Sequence, residues 1–157
     1  MTYAYRIYLD SCCLNRPFDD QTQDRIHLES EAILTMLNFC QLGLWKLISS
    51  DALDLELAKI GNIERHKQIQ NLLGIAKIRV LQSREIYSRA KVLEHLGIMG
   101  FDAVHIASAE QGMADVFLTT DDRLHRKAGR LGQQLQVVVA NPVIWLANIL
   151  QKEQSND

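Results

Sequence analysis

Short strand-like runs alternate with helical patterns along this chain, and that alternation constrains its fold more than any other feature. The runs lie at residues 5–9, 46–50, 116–120 and 136–140 and are rich in β-branched or aromatic residues. Strands separated by helices predict a parallel sheet with helices on both of its faces. Ligands of such sheets bind outside the carboxyl ends of the strands. Functional residues are therefore expected at that edge.

Apolar residues at helical spacing predict the helices between these runs. The longest lies within residues 23–43. The other predicted helices span residues 51–60, 62–76, 84–96, 102–112, 122–131 and 143–151. A length of 157 residues without a linker-like segment indicates one domain, expected at residues 1–151 and followed by a polar tail at 152–157.

The net charge of −2 hides an uneven distribution of charge along the chain. Residues 1–56 carry nine acids and four Lys or Arg, whereas residues 57–91 carry eight Lys or Arg and two acids. Residues 92–157 are again acidic, with eight acids and five Lys or Arg. A basic segment between acidic ones fits a metal centre flanked by a track for a polyanion. The alternative is a set of solvated helical faces with alternating charges.

Membrane insertion and disulfide bonding are both disfavoured by the sequence. No apolar stretch approaches the about 20 residues that span a bilayer, and Arg6 and Asp10 interrupt the region where a signal peptide would be apolar. The chain is therefore expected to be cytoplasmic and free of membrane contact. Cys12 and Cys13 are adjacent and Cys40 is distant, so neither a disulfide framework nor a zinc site is indicated.

Four acidic residues fall where the predicted elements would bring them to the carboxyl edge of the sheet. Asp10 follows the first strand-like run and Asp121 follows the third, while Glu56 and Asp102 lie in predicted helices. Singly, each has an ordinary explanation as a turn residue, a helix N-cap or an exposed helix acid. Together, without ligand-spaced cysteine or histidine pairs, they suit Mg²⁺ or Mn²⁺. Such an ion would relieve their repulsion, activate a water and offset charge on a scissile phosphate.

The expected helix and strand geometry indicates which of two neighbouring acids is the better candidate ligand. Glu56 adjoins the apolar stripe of its helix, whereas Asp54 lies about 200° from that stripe at a helical repeat of 3.6 residues. Asp121 directly ends its strand-like run, and Asp122 points elsewhere, which leaves it a capping or supporting role. The segment after Asp10 also lacks the Asp-x-Asp of haloacid-dehalogenase-type phosphatases, so that class is disfavoured.

Three polar residues that closely follow Asp10 are candidates for contact with substrate. Ser11 could bond a metal-bound water or a phosphate oxygen, or else a local backbone amide. Asn15 and Arg16 lie beyond the strand end, where a guanidinium could bind phosphate through two nitrogens. The alternative for Arg16 is a structural ion pair with Asp19 or Asp20.

Beyond Asp121, Arg123 begins a helix side with several basic residues, so it is either a phosphate contact or part of a solvated face. His105 lies one turn after Asp102 and is expected to pack or cap rather than to bind a metal. Four aromatic residues are expected in the core rather than as stacking platforms for bases: Phe39, Trp45, Tyr87 and Trp145.

The acidic positions stand in four segments that form an ordered set from the first strand to the last. These segments are Tyr8-Leu-Asp-Ser11, Ser50 with Glu56, Phe101-Asp-Ala-Val-His-Ile-Ala-Ser-Ala109, and Leu118-Thr-Thr-Asp-Asp-Arg-Leu124. In this set the chain resembles the PIN-domain family, the metal-dependent nucleases that include the toxins of VapBC-type toxin–antitoxin pairs. The ordered set is more specific than any one of its motifs.

The resemblance implies a three-layer α/β/α sandwich with a central, mainly parallel sheet of four to five strands. It implies that Asp10, Glu56, Asp102 and Asp121 are catalytic and bind one or two Mg²⁺ or Mn²⁺ ions. It further implies single-stranded RNA as substrate and a homodimer. Family membership alone implies neither toxicity nor an antitoxin, but the function expected here is the toxin of a type II pair, with a cognate antitoxin protein as partner. A non-toxin RNA-processing nuclease and a non-catalytic module that binds RNA or protein are the alternatives.

Overall fold

The computed structural model describes residues 3–155 and contains a five-stranded, all-parallel sheet within a three-layer α/β/α sandwich. The strands are β1 (Arg6–Leu9), β2 (Lys46–Ser50), β3 (Ile78–Val80), β4 (Val116–Leu118) and β5 (Val138–Ala140). The helices are α1 (Ser11–Asn15), α2 (Asp24–Gln41), α3 (Asp51–Leu57), α4 (Ile63–Leu73), α5 (Arg84–His95), α6 (Gly100–Gln111), α7 (Asp122–Leu131) and α8 (Pro142–Ser155). Short 3-10 helices occupy Arg16–Phe18 and Gly132–Gln134. The fold class predicted from the sequence is confirmed.

The sheet is ordered β3-β2-β1-β4-β5, so β1 is its central strand. Ile7 of β1 lies opposite both Leu47 of β2 and Val116 of β4, and all three side chains are fully buried. Strands covered on both faces are expected to be continuously apolar, as residues 7–9 of β1 and all of β4 are. This register aligns the carboxyl ends of β1, β2 and β4 at one edge of the sheet.

Two elements were missed by the sequence analysis because both are short. β3 has only three residues, Ile78–Val80, too few to show a period of two. α1 has five residues and depends on Asp10, whose side chain accepts a hydrogen bond from the backbone nitrogen of Cys13. At the other end of the chain, α8 continues to Ser155, into the segment expected as a polar tail. No helix within residues 3–155 is long and apolar enough to cross a membrane.

The aromatic residues divide between the core and the surface. Trp45 is buried, and its ring meets those of Phe39 and Trp145 edge to face with centroids 4.9 and 5.6 Å away. For Tyr87 the expectation of a core position was wrong, because its side chain is 59% exposed on α5. The ammonium of Lys91, one turn later, lies 5.3 Å from its ring centroid.

Three of the eight cations in the basic segment 57–91 bind acids from outside the segment. These pairs are Arg65–Asp19 at 2.9 Å, Arg79–Asp51 at 2.7 Å and Arg89–Glu110 at 2.7 Å. Each pair joins stretches that are distant in sequence. Much of the positive charge therefore serves to connect elements of the fold.

The close approach of α6 to the sheet makes a specific prediction for Gly112, the residue that ends this helix. A Cβ there would lie 2.9 Å from Cγ2 of Val80 and 3.4 Å from Cγ2 of Ile48. Since β-branched side chains cannot easily move away, Gly112→Ala should lower the free energy of unfolding by about 1–3 kcal/mol, as measured by urea denaturation. A Cβ at Gly129 in α7 would meet nothing within 4 Å, so Gly129→Ala should be neutral or stabilising by up to about 1 kcal/mol. Equal losses in both variants would contradict this packing.

Candidate active site

Acidic residues from three elements lie near one another at the aligned carboxyl edge, namely Glu56, Asp102 and Asp121. Asp102 lies in the first turn of α6. Its pKa is raised, chiefly by burial and then by the negative charge of Asp121, with a smaller contribution from Glu56; His105 opposes the shift. The negative charges of separate elements are therefore close enough to act on one another.

Asp10 is held rigidly at the end of β1. Its Oδ1 accepts hydrogen bonds from the backbone nitrogen of Cys13 at 3.0 Å and from the thiol of Cys12 at 2.8 Å. Burial raises the pKa of Asp10 well above its ordinary value, and Cys12 adds to the shift, whereas the Thr119 hydroxyl opposes it. An ionised carboxylate at this depth is costly unless a cation lies next to it.

The pKa of Glu56, near the end of α3, is shifted in the opposite direction. His105 lowers the pKa of Glu56 by donating from Nε2 to Oε1 at 2.8 Å, and burial opposes this. The Ser11 hydroxyl and the charge of Lys59 lower the pKa further. Glu56 is therefore held as a carboxylate beside the more buried acids.

Asp121 and Asp122 have different surroundings, although they are adjacent. Asp121 is the N-cap of α7, and its Oδ1 accepts a hydrogen bond from the backbone nitrogen of Arg123 at 2.9 Å. Asp122 forms a two-point ion pair with Arg25, with both N–O distances at 2.9 Å. Asp121 lines the same cavity as Asp102, whereas Asp122 is paired with a cation.

A small cavity of ≈ 150 Å³ lies between α6 and α7. The acids Asp102 and Asp121 line it together with the bases Arg123 and Lys127. At about 30 Å³ per water, it has room for an ion with several waters. A larger cavity of ≈ 620 Å³ lies beside β5 and α7, but Asp115 is the only acid in its lining, so volume does not identify the site. The mixed charge of the smaller cavity suits a cation bound together with a phosphate.

The other residues predicted to contact substrate have different surroundings in the structure. The hydroxyl of Ser11 lies beside Glu56, whereas the side-chain nitrogen of Asn15 donates to the carbonyl oxygen of Ser11 at 2.8 Å. Arg16 forms the structural pair that was its alternative, with Asp19 at 3.2 Å, and a shorter one with Glu29 at 2.8 Å. A phosphate would have to displace these carboxylates to bind Arg16.

Two residues of the site were missed by sequence reasoning: Tyr8 and Cys12. Tyr8 was read as a strand residue, yet its hydroxyl lies 2.7 Å from Nδ1 of His105. Lys127 lies one turn after Arg123 and lines the same cavity, a spacing that the sequence does show. His105 is buried as expected and additionally bonds Glu56.

Among the described residues, one group of donor atoms lies close enough together to hold a cation. Ligand atoms of Asp10, Cys12 and Cys13 lie within 4.8 Å of one another, and thiolates would favour a softer metal. However, the Cys13 thiol is fully buried and donates to the carbonyl oxygen of Leu118 at 3.3 Å. The mutually repelling carboxylates around Asp102 are more open, and they offer the oxygen ligands that hard cations prefer.

Comparison with known proteins agrees with this geometry. A family model described as PIN domain matches residues 7–130, a range that includes all four acids. Among solved structures, the crystal structure of FitAcB from Neisseria gonorrhoeae is similar, with a TM-score of 0.55 and 18% sequence identity. The match covers 87% of this chain and 97% of that chain, and at this identity it concerns the fold alone. Among curated proteins, none matches the chain.

Repulsion within the acid cluster predicts a gain in stability when one acid is neutralised without metal. In EDTA, Asp102→Asn should raise the free energy of unfolding by about 0.5–2 kcal/mol, because the buried charge and its repulsion by Asp121 are removed. Thermal unfolding measures this. Added Mg²⁺ should stabilise the wild type more than the variant. Asp24→Asn, at an exposed residue of α2, is the matched control, and a less stable Asp102→Asn in EDTA would refute the idea.

Proposed function

This chain belongs to the PIN-domain family, and from that premise we propose that it is a metal-dependent nuclease that hydrolyses single-stranded RNA. The mutual repulsion of Asp102, Asp121 and Glu56, which come from three different elements, is the observation that carries the proposal. A module that only binds RNA has no need to bury carboxylates that repel one another, since such a cluster is costly without a cation.

In this proposal Asp10, Glu56, Asp102 and Asp121 are the catalytic carboxylates and hold one or two Mg²⁺ or Mn²⁺ ions. Bound there, the ion would lower the pKa of a water and offset the charge that develops on the phosphate. The carboxylates themselves position rather than attack: Asp10 is fixed as the N-cap of α1, and Asp121 as that of α7.

Arg123 and Lys127 supply the positive side of the same cavity. Both line it with Asp102 and Asp121, so a phosphate next to the cation would lie within their reach. Cationic side chains contribute to nucleic-acid affinity largely without regard to base sequence. We assign them to the phosphate, with Ser11 beside Glu56 as a further polar contact.

We also propose that the protein is the toxin of a type II toxin–antitoxin pair, acting in the cytoplasm as a homodimer with a cognate antitoxin. Exposed Leu28 of α2 and Ile144 of α8 line an apolar groove of ≈ 480 Å³ that favours a protein partner. An RNA-processing nuclease is the alternative. Growth arrest on expression, relieved by a small DNA-binding protein encoded immediately upstream, would support the toxin; normal growth would support the processing enzyme.

The catalytic assignment predicts cleavage of single-stranded RNA that requires Mg²⁺ or Mn²⁺ and stops in EDTA. Asp10→Asn and Asp102→Asn should each lower the cleavage rate by at least about 100-fold, since both remove a proposed ligand. Asp24→Asn should cleave like the wild type. Equal rates in all four proteins would refute the site. Absence of cleavage together with tight, metal-independent RNA binding would favour the non-catalytic module.

The phosphate assignment predicts a change in the salt dependence of RNA binding. In an Asp102→Asn background, Arg123→Ala or Lys127→Ala should weaken binding alike for all sequences and reduce the slope of log K against log salt by about 0.7. Fluorescence anisotropy over a salt series measures both quantities. Arg130→Ala on the same helix, outside the cavity lining, should leave the slope unchanged. An equal effect of all three variants would mean that RNA binds the overall positive charge of the helix rather than the cavity, and would contradict the assignment.

A further inference from the structure

A chain of buried hydrogen bonds leads from the sheet to Glu56. The hydroxyl oxygens of Ser50 and Tyr8 are 2.7 Å apart, and Tyr8 Oη lies 2.7 Å from Nδ1 of His105. The other ring nitrogen of His105, Nε2, lies 2.8 Å from Oε1 of Glu56. Ser50 and Tyr8 are 0% exposed and His105 is 1% exposed, so this hydrogen-bonded network is shielded from water as far as the Glu56 carboxylate.

Each member of this network has a partner on both sides, so its direction follows from the tautomer of His105. A carboxylate only accepts, so Nε2 of His105 donates to Glu56. In the neutral ring, Nδ1 then accepts from the hydroxyl of Tyr8, and Tyr8 Oη accepts from that of Ser50. The Ser50 oxygen also accepts from the backbone nitrogen of Leu53 at 3.1 Å, as the N-cap of α3. A fully satisfied buried network of this kind rigidifies the groups that it joins.

Packing removes the remaining freedom of the His105 ring. Its centroid lies 5.8 Å from that of Tyr8 and 5.9 Å from that of Phe101. The Tyr8 ring in turn stacks on Phe117 of β4 at 5.3 Å and 14° between planes. The donor that meets Glu56 is therefore located by two strands of the sheet, and Glu56 is fixed although its side chain is partly exposed.

We propose that His105 is a positioning residue, which holds the Glu56 carboxylate beside Asp102 so that a divalent cation meets ligands that are already in place. Tyr8 and Ser50 serve to hold the ring. This role rests on the proposed function, because it assumes that Glu56 takes part in cation binding. Loss of an outer hydrogen-bonding partner commonly costs 10–100-fold in metal affinity, roughly the effect expected here. The rival role is a cross-link between α3 and α6 that contributes only to stability.

Two substitutions of His105 separate these roles, because each replaces only one of the two ring nitrogens with an amide group at a similar position. Gln places its amide nitrogen near the position of Nε2 and can still donate to Glu56. Asn places its amide near Nδ1, so it keeps the contact with Tyr8 and loses Glu56. Both disturb the packing of the ring. A stabilising role predicts similar losses in the two variants, whereas the positioning role predicts a difference in cation affinity.

The experiment is Mn²⁺ titration of the full chain, followed by the electron paramagnetic resonance signal of the free ion. His105→Asn should bind Mn²⁺ about 10–100-fold more weakly than the wild type, and His105→Gln within a few-fold of it. At saturating Mn²⁺ the RNA cleavage rate of His105→Asn should recover toward that of the wild type. His27→Asn, at an exposed histidine of α2, should match the wild type throughout.

The outcomes are distinguishable. A wild type that binds Mn²⁺, with His105→Asn binding as tightly, overturns the positioning role and leaves the metal site standing. A wild type that binds no Mn²⁺ removes the metal site of the proposed function, and the positioning role with it. Should His105→Asn fail to fold, Tyr8→Phe decides, because it removes only a hydroxyl. A several-fold loss of Mn²⁺ affinity in that variant supports the network, and wild-type affinity refutes it.

Discussion

Parallel pairing of β1 with both β2 and β4 is the constraint on which the rest of the structure depends. Because the three strands run in the same direction and in register, each turns into a helix at the same edge of the sheet. A side chain at or shortly after the end of each strand then caps the next helix, namely Asp10 for α1, Ser50 for α3 and Asp121 for α7. Structural capping and the candidate chemistry consequently use the same residues.

A second constraint on this edge of the sheet is a set of hydrogen bonds to one buried acid of α2. Glu29 of α2 is 1% exposed and accepts hydrogen bonds from Arg16 at 2.8 Å, Arg25 at 3.1 Å and Asn141 at 2.8 Å. Three donors make a buried charge tolerable, although they do not make it a net source of stability. Arg25 also binds Asp122, the neighbour of Asp121, so the turn after β4 is tied to α2 and to the start of α8.

The sequence predicted those residue positions that depend on the order of neighbouring residues. It did not predict positions that depend on contacts between residues far apart in the chain. The position of Asp10 followed from a strand end, whereas Asp121 lies three residues after the end of β4. Helical phase separated Glu56, whose side chain is 29% exposed, from Asp54, which is 41% exposed and pairs with Arg79. The bond from His105 to Glu56 joins residues 49 positions apart, which no periodicity encodes. Tyr87 was misplaced for the same reason, since only tertiary packing determines which face of α5 is covered.

The shortness of the two outer strands bears on how copies of this chain can associate. β3 and β5 have three residues each, so the unpaired backbone at either border of the sheet is brief. Arg79, in the middle of β3, places a paired charge on one border. Brief borders, one of them charged, are poor templates for adding strands from another molecule, which protects the chain from edge-to-edge aggregation. A stable assembly would therefore have to form through helical surfaces, such as the one that exposes Leu28 and Ile144.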